Sequence, residues 1–231
     1  MDEAALDRLR ARLAGRSKRQ LIEEMVARSP HPEATERLVF ALEAYPLLSL
    51  LLARDYPTHI WLLDDGEKSS SAEILDQAAR ERKWHRAGIS VDDCEGLTEV
   101  VGRSVVVVAN WRSLLVLRHE FAHVITTFFS PSARQCLQWL YQRASERGQF
   151  VEPLASESLA EYVACGVSYL FFDDLRQELK KTDAGLLAAV SKLIDQSERL
   201  SRQLDPVGPH PADEGLRAGM LLAETDVTGT R

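Results

Sequence analysis

Two histidines and a glutamate stand inside a strongly apolar stretch, and that combination narrows what this chain can fold into. His119-Glu120-Phe121-Ala122-His123 reads H-E-x-x-H, flanked by Leu114, Leu115, Leu117, Val124, Ile125 and Phe128. Such flanks predict a buried helix, with Asn110 or Ser113 as its cap and Ser130-Pro131 as its stop. On a helix, positions i and i+4 share one face, a single turn apart. Polar side chains buried there need a partner, and a divalent metal is the simplest one. The two imidazoles can bind one Zn²⁺ while Glu120 handles its water. A polar patch on a half-exposed helix is the bland alternative, and it fits the flanks less well.

The remaining composition sets the class. The chain has 231 residues, 45% hydrophobic and 27% charged, as expected of one globular domain with a real core. A net charge of −7 argues against nucleic acid or an anionic membrane as the main partner. Cys94, Cys136 and Cys165 are odd in number and widely spaced, so neither a disulfide framework nor a cysteine zinc site is expected. The N-terminus shows no apolar signal core, and the densest apolar run, Leu47 to Leu52, is too short to span a membrane. The expected location is the cytoplasm, although export without a cleaved signal would leave the same sequence.

Apolar spacing predicts two short helices over residues 3–28, broken near Gly15 and Ser17. A longer helix is expected from Glu33 to about Leu52, bent at Pro46. His59 to Leu63 reads as a strand, and a helix is expected from Ala72 to about Arg82. Residues 84–102 show weak periodicity. Val105, Val106, Val107 and Val108 form a β-branched strand that leads into the H-E-x-x-H helix. Helices follow over 132–147 and 156–172, then one long helix or a pair from Leu175 to Leu204, before a Pro-rich tail. The expected fold class is α+β: a mainly helical domain with a small sheet beside the motif helix, which the resemblance given below makes zincin-like. Residues 1–54 are read as a helical segment packed on the core, 55–204 as the main domain and 205–231 as a flexible tail. Oligomeric state is left open.

A catalytic zinc site commonly takes three protein ligands. Thr126 stands where the extended H-E-x-x-H-x-x-G-x-x-H pattern puts glycine, and the next histidine is His210 in the tail. A glutamate from a second helix is the natural alternative. Glu157 and Glu161 would lie one turn apart on a common face, with Glu157 as the ligand and Glu161 accepting a hydrogen bond from a ligand imidazole. Ser158 to Glu161 also fits a capping box, which would make the acidic residues ordinary helix-start features.

Together, His119-Glu120-Phe121-Ala122-His123 and Glu157-Ser158-Leu159-Ala160-Glu161-Tyr162 resemble the gluzincin arrangement, and more narrowly the lethal-factor-type zinc metallopeptidase domain. The resemblance covers residues 55–175. It implies Zn²⁺ on His119, His123 and Glu157, a peptide or protein substrate, and Val105 to Val108 as the edge strand that holds it. That family places a tyrosine seven residues before the third ligand, where this chain has Phe150; Tyr141, Tyr162 and Tyr169 are the available substitutes. Glu157, Ala160 and Ala164 also look like the E-x-x-A-x-x-x-A segment of ImmA/IrrE-type metallopeptidases, the second resemblance.

The expected function is hydrolysis of a peptide bond by a zinc-activated water, with Glu120 as general base. The alternative is a catalytically weak or inactive zinc-binding module derived from such an enzyme. Trp61, Trp84, Trp111 and Trp139 are read as packing residues, His59 and His85 as ordinary strand and helix-end residues, and Cys165 as small helix packing.

Overall fold

In the computed structural model, described over residues 3–81 and 90–205, a four-stranded sheet lies against a larger helical layer. The readings of Trp84 and His85, the end of the helix expected to reach Arg82, and the tail from 206 onward fall outside the described residues.

The N-terminal region forms α1 (Glu3–Leu13) and α2 (Lys18–Met25), broken where sequence spacing predicted. Ala14 and Gly15 both take positive φ, which ends α1. Ser17 then caps α2 in a reciprocal capping box with Gln20. Directly after it, Val26–Arg28 forms β1, a short strand not expected from the sequence.

The helix expected over 33–52 is two helices, α3 (Pro32–Leu42) and α4 (Leu47–Asp55). Pro46 lacks an amide hydrogen and stands at the N-cap of α4 without a side-chain cap bond. Ser201, far along the chain, accepts the Leu48 amide at 2.9 Å and satisfies one of the free amides at the buried start of α4.

Strand β2 (Thr58–Leu63) is followed by a 3₁₀ turn at Ser69–Ser71 and α5 (Gln77–Arg80), much shorter than expected because Asp76 caps it only at Gln77. Residues 96–101 form β3 (Gly96–Val101), which turns at Gly102 into β4 (Ser104–Asn110). The sheet order is β1-β2-β4-β3, with β1, β2 and β4 parallel and β3 antiparallel to β4.

This order corrects one expectation. Val105, Val106, Val107 and Val108 do not form an edge: β4 pairs with β2 on one side and β3 on the other. Its backbone groups are committed to both neighbours, so it cannot pair with a substrate. Val105 and Val107 enter the main core, while Val106 and Val108 enter a smaller cluster with Leu63, Leu75 and Leu97 on the other face. A strand covered on both faces reads as a continuous apolar run, which is what the four valines are. Among the described residues, β3 is the outer strand beside them.

Three residues after β4 comes the motif helix α6 (Leu114–Thr126), capped by Ser113 through the Val116 amide at 3.2 Å. Then follow α7 (Pro131–Arg147), α8 (Leu159–Tyr169), α9 (Asp173–Thr182) and α10 (Ala184–Leu204). Gly148 in the left-handed region closes α7. One hydrophobic core joins α1–α4 to α6, α8 and α10. Among the described residues no helix is long and apolar enough to cross a membrane.

The core is tight where α8 meets α10. A Cβ on Gly166 would lie 2.8 Å from Cγ of the fully buried Leu186. Gly166→Ala should therefore cost about 1–3 kcal/mol through overpacking. Equilibrium urea unfolding checks this, and a variant as stable as the parent would contradict so close an approach.

Candidate metal centre

Helix α6 is largely buried, and its position is fixed from behind. The Arg118 guanidinium is buried, donates to the Ala41 carbonyl (3.1 Å) and the Phe171 carbonyl (3.1 Å), and lies over the Phe172 ring. Tyr45 donates its hydroxyl to the Arg118 carbonyl at 2.6 Å. These contacts tie α6 to α3 and to the end of α8, and they leave His119, Glu120 and His123 facing the other way.

Opposite them, α8 supplies one carboxylate. Glu161 Oε2 lies 2.9 Å from His119 Nε2 and 3.4 Å from His123 Nε2, and the two Nε2 atoms are 3.2 Å apart. His119 and Glu161 are buried, and His123 nearly so. A tetrahedral Zn²⁺ with ligand bonds of about 2.0–2.2 Å needs donor atoms roughly 3.3–3.5 Å apart. The three donors already stand close to that spacing, and imidazole nitrogen with carboxylate oxygen is a donor set that zinc accepts. Among the described residues this is the one His/Cys/Asp/Glu group that could hold a metal ion.

The ligand assignment from sequence needs correction. Glu157 is not in the group; it follows a 3₁₀ turn at Leu154–Ser156, with its amide donating to the Leu154 carbonyl. The reason is a helix start. Ser158 caps α8 by accepting the Glu161 amide at 3.1 Å, so the helix begins at Leu159 and Glu157 lies before the cap. The two glutamates are thus not one turn apart on a common helix, and Glu161, in the first turn, points to the imidazoles. The Ser158–Glu161 capping signal is real in its serine half; the Glu161 side chain is used on the histidines instead.

Glu120, on α6, faces β3. Thr98 donates its hydroxyl to Glu120 Oε2 at 2.7 Å and lies 3.0 Å from the Glu120 carbonyl. Gly96, two residues back on the same face of β3, makes room: a Cβ there would stand 2.6 Å from Glu120 Cγ and 2.7 Å from Oε1. Neither residue was legible in the weakly periodic 84–102 segment, although a Gly-x-Thr alternation is the trace it leaves.

The electrostatics follow from burial among few partners. Burial pushes the Glu120 carboxyl up, against the pull of His123 and His119 and the Thr98 hydroxyl. Burial also opposes ionisation of Glu161, but the hydrogen bonds from His119 and His123 and their charges outweigh it and bring that carboxyl down to about 2. His123 is raised: burial works against its charge, and Glu161 and Glu120 more than compensate. One carboxylate is held as an anion among the imidazoles while its neighbour is biased towards the proton.

The tyrosines named as substitutes for Phe150 are engaged elsewhere. Tyr141 donates to the Ser156 carbonyl (3.0 Å), Tyr162 to Asp183, and Tyr169 to Glu152 (3.0 Å). Phe150 itself packs against the rings of Tyr141 and Tyr162.

No family model matches the chain, and no curated protein sequence matches it. Among solved structures it is similar to the Pro-Pro endopeptidase PPEP-2 from Paenibacillus alvei, with a TM-score of 0.54 and 19% sequence identity over 75% of this chain and 99% of that one. At that identity the likeness is one of fold.

The geometry makes the two glutamates separable. Glu161→Gln should abolish stoichiometric zinc retention after gel filtration, and Glu157→Gln should leave it unchanged. Metal analysis of the two purified variants is the check, and the reverse pattern would restore the assignment from sequence.

Proposed function

We propose that this protein is a zinc-dependent endopeptidase with His119, His123 and Glu161 as metal ligands and Glu120 as general base. The observation that carries the reading is the triangle of His119 Nε2, His123 Nε2 and Glu161 Oε2, with Glu120 held beside β3, the outer strand among the described residues. The fold likeness to an endopeptidase is consistent with it.

Bound at this triangle, Zn²⁺ supplies Lewis acidity that acidifies a water and polarises a carbonyl. Glu120 takes the proton from the attacking water and passes it to the leaving amine. Its raised proton affinity suits both halves of that task. Thr98 holds the Glu120 carboxylate through Oε2, leaving Oε1 for the reacting proton. The outer edge of β3, from Gly96 to Val101, offers backbone hydrogen bonds to an extended peptide, taking the role that sequence reading gave to Val105–Val108. Substrate paired there would run past the Glu120 carboxylate that Gly96 and Thr98 seat.

A second reading is favoured by one observation: Tyr141, Tyr162 and Tyr169 each spend their hydroxyl away from the metal triangle. Without a phenol at the oxyanion, a peptidase of this kind would be slowed by about 10²–10³. In this reading the chain binds zinc but serves as a weak enzyme or a binding module.

A peptide library that includes Pro-Pro bonds, assayed with and without a chelator, separates the readings. The endopeptidase reading expects chelator-sensitive internal cleavage that zinc restores. Glu120→Gln should retain its zinc and lose about 10²–10⁴ in rate. Stoichiometric zinc without turnover would favour the module; turnover that survives both chelation and Glu120→Gln would overturn the mechanism.

A further inference from the structure

The face of α6 that carries the metal donors continues past them. Thr126 stands one turn beyond His123 and two beyond His119, and Thr127 stands in line with Glu120, seven residues on. There a cavity of about 240 Å³ lies between the end of α6 and the starts of α7 and α8. Its floor is the buried pair Leu137 and Val163, and the half-buried Phe129 and Leu159 form its walls. Thr127, Arg134 and Ala160 are exposed at its mouth, so it opens to solvent. Ala160 directly precedes the proposed ligand Glu161.

The lining decides what such a cavity can hold. Thr126 donates its hydroxyl to the His123 carbonyl at 2.8 Å, and Thr127 donates to the Val124 carbonyl at 2.7 Å. Arg134 donates to the Thr127 carbonyl. The polar groups around the cavity thus bond one another or their own helix, and the surface left over is aliphatic and aromatic. A polar group pushed in would lose its hydration without gaining a partner; an apolar one loses nothing. The volume is below the roughly 300–1,000 Å³ usual for sites that take a whole small molecule, and it suits a single side chain.

We propose that this cavity is a substrate subsite, which takes an apolar side chain of about leucine or methionine size from a residue flanking the cleaved bond. The proposal rests on the endopeptidase reading above and adds what would select the peptide. The spacing fits. One turn of α6 rises about 5.4 Å, and successive residues of an extended peptide stand about 3.3 Å apart with side chains to opposite faces. A carbonyl held at the metal triangle puts one neighbouring side chain within reach of Thr126 and Ala160. Backbone pairing with β3 would give affinity without regard to sequence, and the cavity supplies the choice.

The test starts from a peptide library cleaved by the zinc-loaded protein, with the products read by mass spectrometry. Leucine, isoleucine or methionine should be enriched at one of the two positions flanking the cleaved bond. Ala160→Trp, which fills the mouth, should then lower the ratio of kcat/KM for a leucine peptide over its alanine counterpart by about 10–200-fold. Leu159→Ala, which widens a wall, should shift the preference towards phenylalanine. A ratio cancels any loss of zinc that both peptides feel. Calorimetric binding of the same two peptides to zinc-loaded Glu120→Gln protein should move the same way, which keeps the cavity testable if turnover is slow. Cleavage with no preference, a preference for acidic residues, or a preference that both variants leave intact overturns the subsite and spares the endopeptidase. A protein that neither cleaves nor binds any peptide overturns both.

Discussion

The contact between α6 and α8 is the constraint on which the rest of the structure depends. The two helices run antiparallel where they meet: His119 reaches Cys165, and His123 and His119 both reach Glu161. Everything else in the fold can be described by how it holds that contact in register. Arg118 and Tyr45 bind the back of α6 to α3 and to the end of α8. Gly166 lets α10 press against the far side of α8. Burying two imidazoles and two carboxylates at this seam is costly unless each finds a partner, and the observed pairing supplies them.

The small sheet does a different job. Its central strand β4 is buried on both faces and, with β2 and β1 beside it, acts as a floor. Its antiparallel strand β3 carries Gly96 and Thr98 to Glu120 and, among the described residues, pairs with a strand on one edge alone. A single strand thus holds Glu120 through the Thr98 hydroxyl and the space left by Gly96, and in the proposed function its backbone offers a pairing edge. That combination links where a peptide could bind to where a proton could be taken.

Legibility in the sequence tracks how local each determinant is. The motif helix was readable because spacing, flanks and cap all lie within residues 110–131. The break at Gly15 and the glycine stop at 148 were readable for the same reason. The choice between Glu157 and Glu161 turned on whether the helix starts before or after Ser158, a competition between a cap and a further helical turn that spacing alone does not settle. The role of Val105–Val108 was misread because edge and interior strands differ only in their neighbours, and β3 left too faint a pattern to be counted as one. β1 was hidden because its residues continue the apolar spacing of α2. Cys165 was read as small helix packing, and its contact with His119 Nδ1 at 3.9 Å joins two helices far apart in the sequence.

The central claim, that α6 and α8 together grip one divalent ion, is tested most directly by anomalous diffraction at the zinc edge from crystals of the zinc-loaded protein. A single strong peak per chain is expected, bonded to His119 Nε2, His123 Nε2 and a Glu161 oxygen at roughly 2.0–2.2 Å, with Glu157 away from the ion. A peak elsewhere, or zinc bonded to Glu157 in place of Glu161, would contradict it.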